Sequence, residues 1–332
     1  MAVLVPGGAG YIGSHTVYEM VEQGRDVVVV DNLITGHPEA VHPKAKFYRG
    51  DIRDEALLNT VFSECSIEAV VHFAASSQVG ESVTAPLAYY NNNLYGTMVL
   101  LQAMLRHAVD KIVFSSTAAV YGEPERIPIP EDARTEPGNP YGETKLAMEK
   151  MFKWVAGASD LRYVPLRYFN ACGAREDGTI GEDHHPETHL VPIVMQVANG
   201  TRESISVYGD DYDTPDGTCV RDYIHVVDLA RAHIQALEYL EKGGASDVFN
   251  LGNGSGFSVM EILEAAREVT GKPIPFVIAP RRAGDPAQLV ASNRKAGQVL
   301  GFEPKHPRLN DILSSAWQWH RSHPRGFAGG KE

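Results

Sequence analysis

The stretch Val3-Leu4-Val5-Pro6-Gly7-Gly8-Ala9-Gly10-Tyr11-Ile12-Gly13 decides the fold of this chain. Its apolar start predicts a buried strand, and the residues from Ser14 to about Gln23 have the spacing of a helix. The glycines permit a tight turn and let the backbone approach a pyrophosphate, which the free N–H groups of a helix start attract. The stretch therefore predicts a strand–turn–helix unit that binds a dinucleotide.

A second strand and an acidic residue follow at the distance that such a unit requires. The apolar run Val27-Val28-Val29-Val30 ends at Asp31, which lies 18 residues after Gly13. A carboxylate at this place binds ribose hydroxyls and repels a 2′-phosphate. The sequence therefore predicts that the dinucleotide is NAD rather than NADP.

Strands and helices alternate through the first half of the chain. Further strands are predicted at Phe47-Tyr48, Ala69 to Phe73, Lys111 to Ser115 and Arg162 to Tyr168, and a helix is predicted from about Leu94 to Arg106. This alternation is typical of the α/β class. We therefore expect a doubly wound parallel sheet, the Rossmann arrangement.

The sequence changes character in its second half. Residues 171–220 are rich in Gly, Pro, Asp and His, and Ser258-Val259-Met260-Glu261 is a capping box that predicts the start of a helix. We expect residues 1–170 to form the NAD-binding domain, with interleaved returns near 221–250. Residues 171–332 are expected to form mainly a smaller α+β domain that binds the substrate.

Composition and charge limit the classes of function. The chain has 332 residues and a formal net charge of −12, with 43% hydrophobic and 22% charged residues. These proportions are typical of globular proteins, and the acidic balance argues against a nucleic-acid partner. No apolar run approaches the roughly 20 residues of a membrane span, and no signal peptide is recognised. Three widely spaced cysteines, Cys65, Cys172 and Cys219, favour a reducing cytoplasm.

Tyr141 and Lys145 stand four residues apart, so they share one face of the helix that Asn139 and Pro140 are expected to start. An ammonium near a phenol favours the phenolate, so the pKa of Tyr141 is expected to fall toward neutrality. A tyrosine with such a pKa takes a proton from a sugar hydroxyl at physiological pH. The same spacing also arises by chance on helix surfaces, and the dinucleotide unit upstream is what favours the catalytic interpretation.

The motifs along the chain carry a resemblance to a known family. The chain resembles the extended short-chain dehydrogenase/reductases in Gly7-Gly8-x-Gly10-Tyr11-Ile12-Gly13, Asp51-Ile52-Arg53, His72-Phe73-Ala74-Ala75, Ser115-Ser116-Thr117 and Tyr141-x-x-x-Lys145. It is similar to the UDP-hexose 4-epimerase branch of that family in Arg167-Tyr168-Phe169-Asn170, Gly181-Glu182-Asp183, the run from Gly217 to His225, and the run from Pro280 to Asp285. The resemblance covers essentially the whole chain.

The resemblance implies roles for the matching positions. Tyr141 would be the base and acid at the sugar 4-hydroxyl, Lys145 would hold the nicotinamide ribose, and Thr117 would bond the same hydroxyl. The implied cofactor site consists of Gly7, Gly10, Tyr11, Ile12, Gly13, Asp31, Asn32, Asp51, Ile52, Phe73, Ala74, Asn92, Ser115, Tyr141, Lys145 and Tyr168. The implied substrate site consists of Thr117, Tyr141, Asn170, His189, Leu190, Arg221, Tyr223, Arg282, Asp285 and Leu289. Its two arginines suit a diphosphate.

The activity implied by the resemblance is the interconversion of UDP-glucose and UDP-galactose. Bound NAD would oxidise C4 transiently, the 4-keto sugar would turn over, and the hydride would return to the opposite face. Pro6 and Ser77 depart from the pattern, since members commonly carry Thr or another small residue at the first position and many carry a lysine at the second. The position of Leu289 lies, by resemblance, beside the sugar 2-substituent, where an aromatic residue would narrow the pocket. Other UDP-sugars, N-acetylhexosamines or uronates, are alternatives, as is a non-catalytic NAD-binding protein. A homodimer packed through helices near 94–106 and 141–156 is also implied.

Two further patterns bear on the chemistry. A nucleotide-sugar dehydratase needs an acid and a base just after the active-site threonine, whereas Thr117 is followed by Ala118 and Ala119, which move no protons. The run Asp183-His184-His185-Pro186-Glu187-Thr188-His189 contains metal-ligand residue types, but its spacing matches no zinc helix motif. We therefore expect a polar loop over the sugar nucleotide and no metal.

Overall fold

The computed structural model describes residues 2–282 and 285–327 of the chain, so Ala283 and Gly284 of the substrate-site motif and the end of the predicted second domain lie outside the described residues. The strands are β1 Ala2–Pro6, β2 Asp26–Asp31, β3 Lys46–Arg49, β4 Ile67–His72, β5 Lys111–Thr117, β6 Arg162–Tyr168, β7 Asn170–Cys172, β8 Ile205–Tyr208, β9 Val220–Arg221, β10 Tyr223–His225, β11 Phe249–Leu251, β12 Phe257–Ser258, β13 Phe276–Ala279 and β14 Gln288–Leu289. The α-helices are α1 Tyr11–Glu22, α2 Glu55–Glu64, α3 Val79–Thr84, α4 Pro86–Tyr89, α5 Gly96–Arg106, α6 Pro140–Ala158, α7 Leu190–Ala198, α8 Val226–Glu241, α9 Val259–Thr270, α10 Arg294–Leu300 and α11 Leu309–Ser322.

A seven-stranded parallel sheet forms the centre of the molecule, in the order β11-β6-β5-β4-β1-β2-β3. The chain builds outward from β1 through β2 and β3, then returns to the other side of β1 with β4. Ligands of such sheets bind outside the carboxyl ends of the strands at this reversal. The predicted fold class, a doubly wound α/β sheet with a smaller second part, is confirmed.

Helices cover both faces of the sheet. Val3 and Val5 of β1 pack with α1, α8 and α10, whereas Leu4 packs with α2, α5 and α6. This alternation explains why the central strands read as continuous apolar runs, since both of their faces are buried. The segment near 221–250 contributes α8, which packs on α1, and β11, which pairs with β6.

The second half of the chain builds a smaller body beside the sheet. A hydrophobic cluster joins α7, α9 and α11, and short strands pair as β7 with β10, β8 with β13, and β9 with β12 and β14. The capping box at the start of α9 forms as its sequence predicts. Ser258 Oγ accepts from Glu261 N at 3.0 Å, and Ser258 N donates to Glu261 Oε2 at 2.7 Å. The boundary between the two domains stays a prediction.

The helix predicted from about Leu94 to Arg106 differs in its first turn. Residues Tyr90–Tyr95 form a π-helical turn, and the regular helix α5 begins only at Gly96. Such turns are frequent at functional sites. Across the two described ranges, none of the helices combines the length and the apolar character needed to cross a membrane.

Candidate active site

A cleft of about 1040 Å³ opens at the carboxyl ends of the parallel strands. Typical ligand sites measure roughly 300–1,000 Å³, so this cleft is large for a ligand site. The residues predicted from the sequence that line it are Gly7, Gly10, Tyr11, Ile12, Gly13, Asp31, Asn32, Ile52, Phe73, Ala74, Asn92, Ser115, Thr117, Tyr141, Lys145, Tyr168, Asn170, His189, Arg221, Arg282, Asp285 and Leu289.

Three residues predicted for the site do not line the cleft. Asp51 stands behind Asn32, whose side-chain amide donates to Asp51 Oδ2 at 3.0 Å. Leu190 is the first residue of α7, and Tyr223 lies in β10; both pack in the core of the smaller body.

The glycine-rich turn between β1 and α1 is packed too closely for side chains. A Cβ at Gly13 would lie 2.1 Å from Gly7 O, and a Cβ at Gly7, whose φ is +80°, would lie 2.5 Å from Ala74 N. The turn therefore holds α1 against the end of β1 and exposes backbone to the cleft. This cradle suits the pyrophosphate of a dinucleotide at the start of α1.

Asp31 ends β2 with its carboxylate facing the same turn. Its Oδ2 accepts from Ala9 N at 3.0 Å, and its Oδ1 accepts from Leu33 N at 2.9 Å. Burial raises the pKa of Asp31, and the two backbone donors oppose this rise. An ionised carboxylate offers about four acceptor positions, so two stay available for ribose hydroxyls. These acceptor positions thus fit the hydroxyls of an NAD ribose.

Thr117, Tyr141 and Lys145 converge where β5 ends against α6. Asn139 Oδ1 accepts from Gly142 N at 2.9 Å and Pro140 occupies the first turn, so α6 begins as the sequence predicts. Lys145 Nζ donates to Ser115 O at 2.7 Å and lies 5.9 Å from the centre of the Tyr141 ring. The threonine hydroxyl, the phenol and the ammonium therefore meet at one place in the cleft.

The prediction that the pKa of Tyr141 falls toward neutrality is wrong when only the protein's own groups surround it. Burial raises the pKa of Tyr141, and a hydrogen bond with Thr117 opposes the rise. The same burial lowers the pKa of Lys145 to about 7, against the attraction of Glu149. The dry environment disfavours both charged forms, which outweighs the attraction that the sequence spacing suggests.

Asn93 is a positioning residue that the sequence did not reveal. It lies fully buried in the π-helical turn, where its Oδ1 accepts from Ser76 N at 2.8 Å and its Nδ2 donates to Ser76 O and Thr144 Oγ1 at 3.1 Å. It thereby ties the cleft wall after β4 to helix α6. Nothing in the spacing of a single asparagine signals this, because the irregular turn is what aims the side chain inward.

The opposite end of the cleft carries paired charges. Arg221 Nη2 lies 2.6 Å from Asp285 Oδ1, and Arg282 Nη2 lies 2.9 Å from Asp285 Oδ2. Asn170 lies nearby along the cleft, where its side-chain amide donates to Asp222 O at 2.9 Å. Two guanidinium groups around one carboxylate leave donors free for a phosphate.

Comparison with known proteins agrees with this geometry. Residues 3–252 match the NAD dependent epimerase/dehydratase family. The UDP-glucose 4-epimerase of Halalkalibacterium halodurans is 61% identical over 328 residues, which are 99% of this chain and 98% of that protein. A crystal structure of a UDP-glucose 4-epimerase matches with a TM-score of 0.97 at 57% identity, covering 98% of this chain and 99% of the other. That of the Bifidobacterium longum UDP-glucose 4-epimerase, in complex with NAD+ and UDP, matches with a TM-score of 0.93 at 46% identity, covering 98% and 100%.

Purified protein is expected to carry NAD(H) rather than NADP(H), because the Asp31 carboxylate repels a 2′-phosphate. Extraction followed by separate enzymatic assays of the two dinucleotides measures this. Asp31→Asn should reduce the preference for NAD(H) over NADP(H). Asp132→Asn, at an exposed carboxylate, should leave this preference unchanged. NADP as the main extracted species would contradict the role given to Asp31.

Proposed function

This chain belongs to the NAD dependent epimerase/dehydratase family, and we propose that it is a UDP-hexose 4-epimerase that interconverts UDP-glucose and UDP-galactose. The observation that carries the proposal is the convergence of Thr117, Tyr141 and Lys145 in a cleft that has a dinucleotide cradle at one end and paired arginines at the other. Relatives more than half identical over nearly the whole chain bear the same name.

Tyr141 is the group that moves the proton of the sugar 4-hydroxyl. Its phenolate takes the proton when C4 is oxidised, and the phenol formed in this way returns the proton when C4 is reduced. Thr117 bonds the phenol and favours its ionised form, as the lowering effect on the Tyr141 pKa indicates. Lys145 donates to Ser115 O, and by resemblance its ammonium would hold the nicotinamide ribose.

NAD is the cofactor, and when bound it supplies a cationic nicotinamide that accepts the C4 hydride and gives it back. Gly7, Gly13 and Asp31 would hold it, since the turn and the carboxylate fit a pyrophosphate and a ribose. Arg221 and Arg282 would hold the diphosphate of the sugar nucleotide. With the nucleotide fixed, the 4-keto sugar turns over and presents its other face.

The wall beside the sugar offers little that would resist this turn. Ala118 and Ala119, which follow Thr117, both line the cleft and make no hydrogen bond through their side chains. They also argue against a dehydratase, because that reaction needs proton-transferring groups after the threonine. A non-catalytic NAD-binding protein would have no use for the complete set Thr117, Tyr141 and Lys145.

Tyr141→Phe is expected to retain NAD and UDP binding and to lose turnover by at least about a hundredfold, because only the proton-transfer group is removed. Chromatographic separation of UDP-glucose from UDP-galactose measures turnover, and dinucleotide content with UDP titration measures binding. Tyr95→Phe, at an exposed tyrosine, is the matched control. Turnover of Tyr141→Phe within tenfold of the parent protein would overturn the assignment.

Leu289 bears on the range of sugars accepted. It lies in β14, lines the cleft and packs against the cluster of Val120, Tyr121, Ile129 and Leu146. By resemblance this position faces the sugar 2-substituent, where leucine occupies less space than an aromatic ring. We infer that a 2-acetamido group is also accepted, although less well than a hydroxyl, since a methylene or so of room is worth only roughly 1–3 kcal/mol.

UDP-N-acetylglucosamine is therefore expected to be epimerised more slowly than UDP-glucose. Leu289→Tyr should abolish the activity on the acetylated sugar and spare the activity on UDP-galactose, which serves as the internal control. Both are measured by chromatography at saturating substrate. No epimer from the acetylated sugar with the parent protein would exclude the broader range.

The proposal includes a homodimer. Helices α4, α5 and α6 expose large apolar side chains outside the cleft: Leu87 is 81% exposed, Met98 39%, Leu105 46% and Trp154 79%. Met98 and Leu105 stand seven residues apart on one face of α5. Large apolar side chains exposed on these helices favour an interaction site, and a second copy of the chain is the partner we propose.

Trp154→Glu is expected to convert a dimer to a monomer, because it places a charge in the proposed apolar interface. Sedimentation equilibrium measures the mass. Val299→Glu, on the exposed side of α10, is the control and should leave the mass unchanged. A parent protein that is monomeric at all concentrations tested would exclude this part of the proposal.

A cytoplasmic location completes the proposal. Cys65, Cys172 and Cys219 are free thiols in the structure, and reducing compartments maintain thiols in that state. The proposed small-molecule partners are UDP-glucose and UDP-galactose. No nucleic acid is proposed, since the net charge of −12 disfavours phosphate backbones.

A further inference from the structure

Four side chains of the loop that leads into α7 converge on one point beside the cleft. They are Glu182, His184, Glu187 and His189, and one ligand atom from each lies within 4.8 Å of all the others. Glu182, His184 and His189 line the cleft wall, so the point lies at the edge of the cleft. The Glu182 side chain is 3% exposed, which is a costly position for a carboxylate without a cationic partner.

Each histidine Nδ1 lies near both carboxylates, at separations comparable to those between ligand atoms on one metal ion, and Glu187 offers a different oxygen to each histidine. His189 Nδ1 lies 2.9 Å from Glu182 Oε1 and 3.0 Å from Glu187 Oε1. His184 Nδ1 lies 3.3 Å from Glu182 Oε1 and 3.6 Å from Glu187 Oε2. Bonds of 2.0–2.2 Å to a tetrahedral metal place ligand atoms about 3.3 Å apart.

Hydrogen bonds alone account for this geometry poorly. Each Nδ1 lies between two carboxylate oxygens, yet an imidazole nitrogen carries at most one proton. Within the described residues, His184 Nδ1 is buried and has no hydrogen-bond partner, although both carboxylates are close to it. A cation at the centre would satisfy both nitrogens and both carboxylates together.

We propose that Glu182, His184, Glu187 and His189 bind one zinc ion. Two imidazoles and two carboxylates suit zinc, whereas calcium and magnesium prefer sites made only of oxygen. The two carboxylates neutralise the charge of the ion. Glu187 Oε1 also accepts from the backbone N–H groups of Thr188 and His189 at 2.7 and 2.8 Å, which fixes its orientation.

The site is structural, because all four positions are filled by the protein. Its effect is on the loop. The ring of His184 stands edge-on to that of Tyr11, in the cofactor turn, with 6.2 Å between the ring centres. Zinc therefore fixes the cleft wall that faces the dinucleotide cradle. The sequence spacing predicted no metal, because the ligands lie on an irregular loop rather than on a helix.

The rival arrangement has two protonated histidines paired with two carboxylates. In that case the carboxylates raise the pKa of both imidazoles, and the four charges cancel without a metal. The two arrangements differ in one measurable respect. Only the zinc site holds a stoichiometric ion that depends on these four side chains.

The first experiment uses the untagged protein. It is dialysed against a chelator, reloaded with zinc and desalted, and its metal content is measured by mass spectrometry. One zinc per chain is expected. Cobalt(II) in place of zinc is expected to give the intense visible absorption of tetrahedral coordination, a readout independent of any variant. Substoichiometric zinc, or the weak spectrum of hydrated cobalt, would overturn the proposal.

The second experiment assigns the ligands. His184→Ala and Glu187→Gln are expected to weaken zinc binding by more than roughly 10–100-fold, which is the loss expected when a residue that only hydrogen-bonds a ligand is removed. Zinc affinity is measured by competition with a chromophoric chelator. His185→Ala, in the same loop but 74% exposed, is the control and should bind zinc as the parent does. Equal zinc affinity in His184→Ala and the parent would place the ion elsewhere and refute the site.

Discussion

A buried ion pair between α6 and β6 is the interaction on which the site depends. Arg167 donates to Glu149 through Nη2 at 2.6 Å and Nε at 3.0 Å, and both side chains are 8% exposed. Tyr141, Lys145 and Glu149 follow one another at intervals of four residues along one face of α6. The pair therefore fixes the position of α6 along the sheet, and with it the position of the Tyr141 phenol at the end of β5. Loss of one partner of such a pair costs roughly 3–5 kcal/mol, so the helix has little freedom to move.

The burial that fixes these groups also sets their acid–base chemistry. Because burial raises the pKa of Tyr141 and lowers that of Lys145, neither group ionises readily alone. Ionisation of the phenol is favoured when Lys145 keeps its proton, and Glu149, one turn away, raises the Lys145 pKa in that direction. Helix geometry thus links the structural ion pair to the proton-transfer group.

Local sequence patterns were sufficient to predict the main elements of the fold. The first strand, the glycine turn and Asp31 are adjacent in sequence, and the capping box of α9 closes within four residues. Asn93 and the Glu149–Arg167 pair could not be found this way, because their partners are distant in sequence. The sequence likewise gave no sign that the strand pairing is interrupted at Asp222, between Arg221, which lines the cleft, and Tyr223, which enters the core.

The side chain of Asp222 ties three segments of the chain together. Its buried carboxylate accepts from the backbone N–H groups of Asn253, Gly254 and Ala291, at 2.6 to 3.0 Å. This draws the loop after β11 and the end of β14 onto the strand, and Leu289 is thereby held at the cleft. A side chain that satisfies three backbone donors thus helps to position the residues that line this part of the cleft.

The loop before α7 connects the two halves of the cleft. Asp183 O is 3.0 Å from His37 Nε2, in the segment that follows Asp31, and Asp183 Oδ2 accepts from Phe327 N at 2.9 Å. Trp319 Nε1 donates to Glu182 O at 3.1 Å. In an epimerase the hydride must return to the same sugar, so cofactor and sugar nucleotide have to stay enclosed together. A wall joined to the cofactor segment on one side and to α11 and Phe327 on the other meets that requirement, because movement of the loop would disturb contacts on both sides.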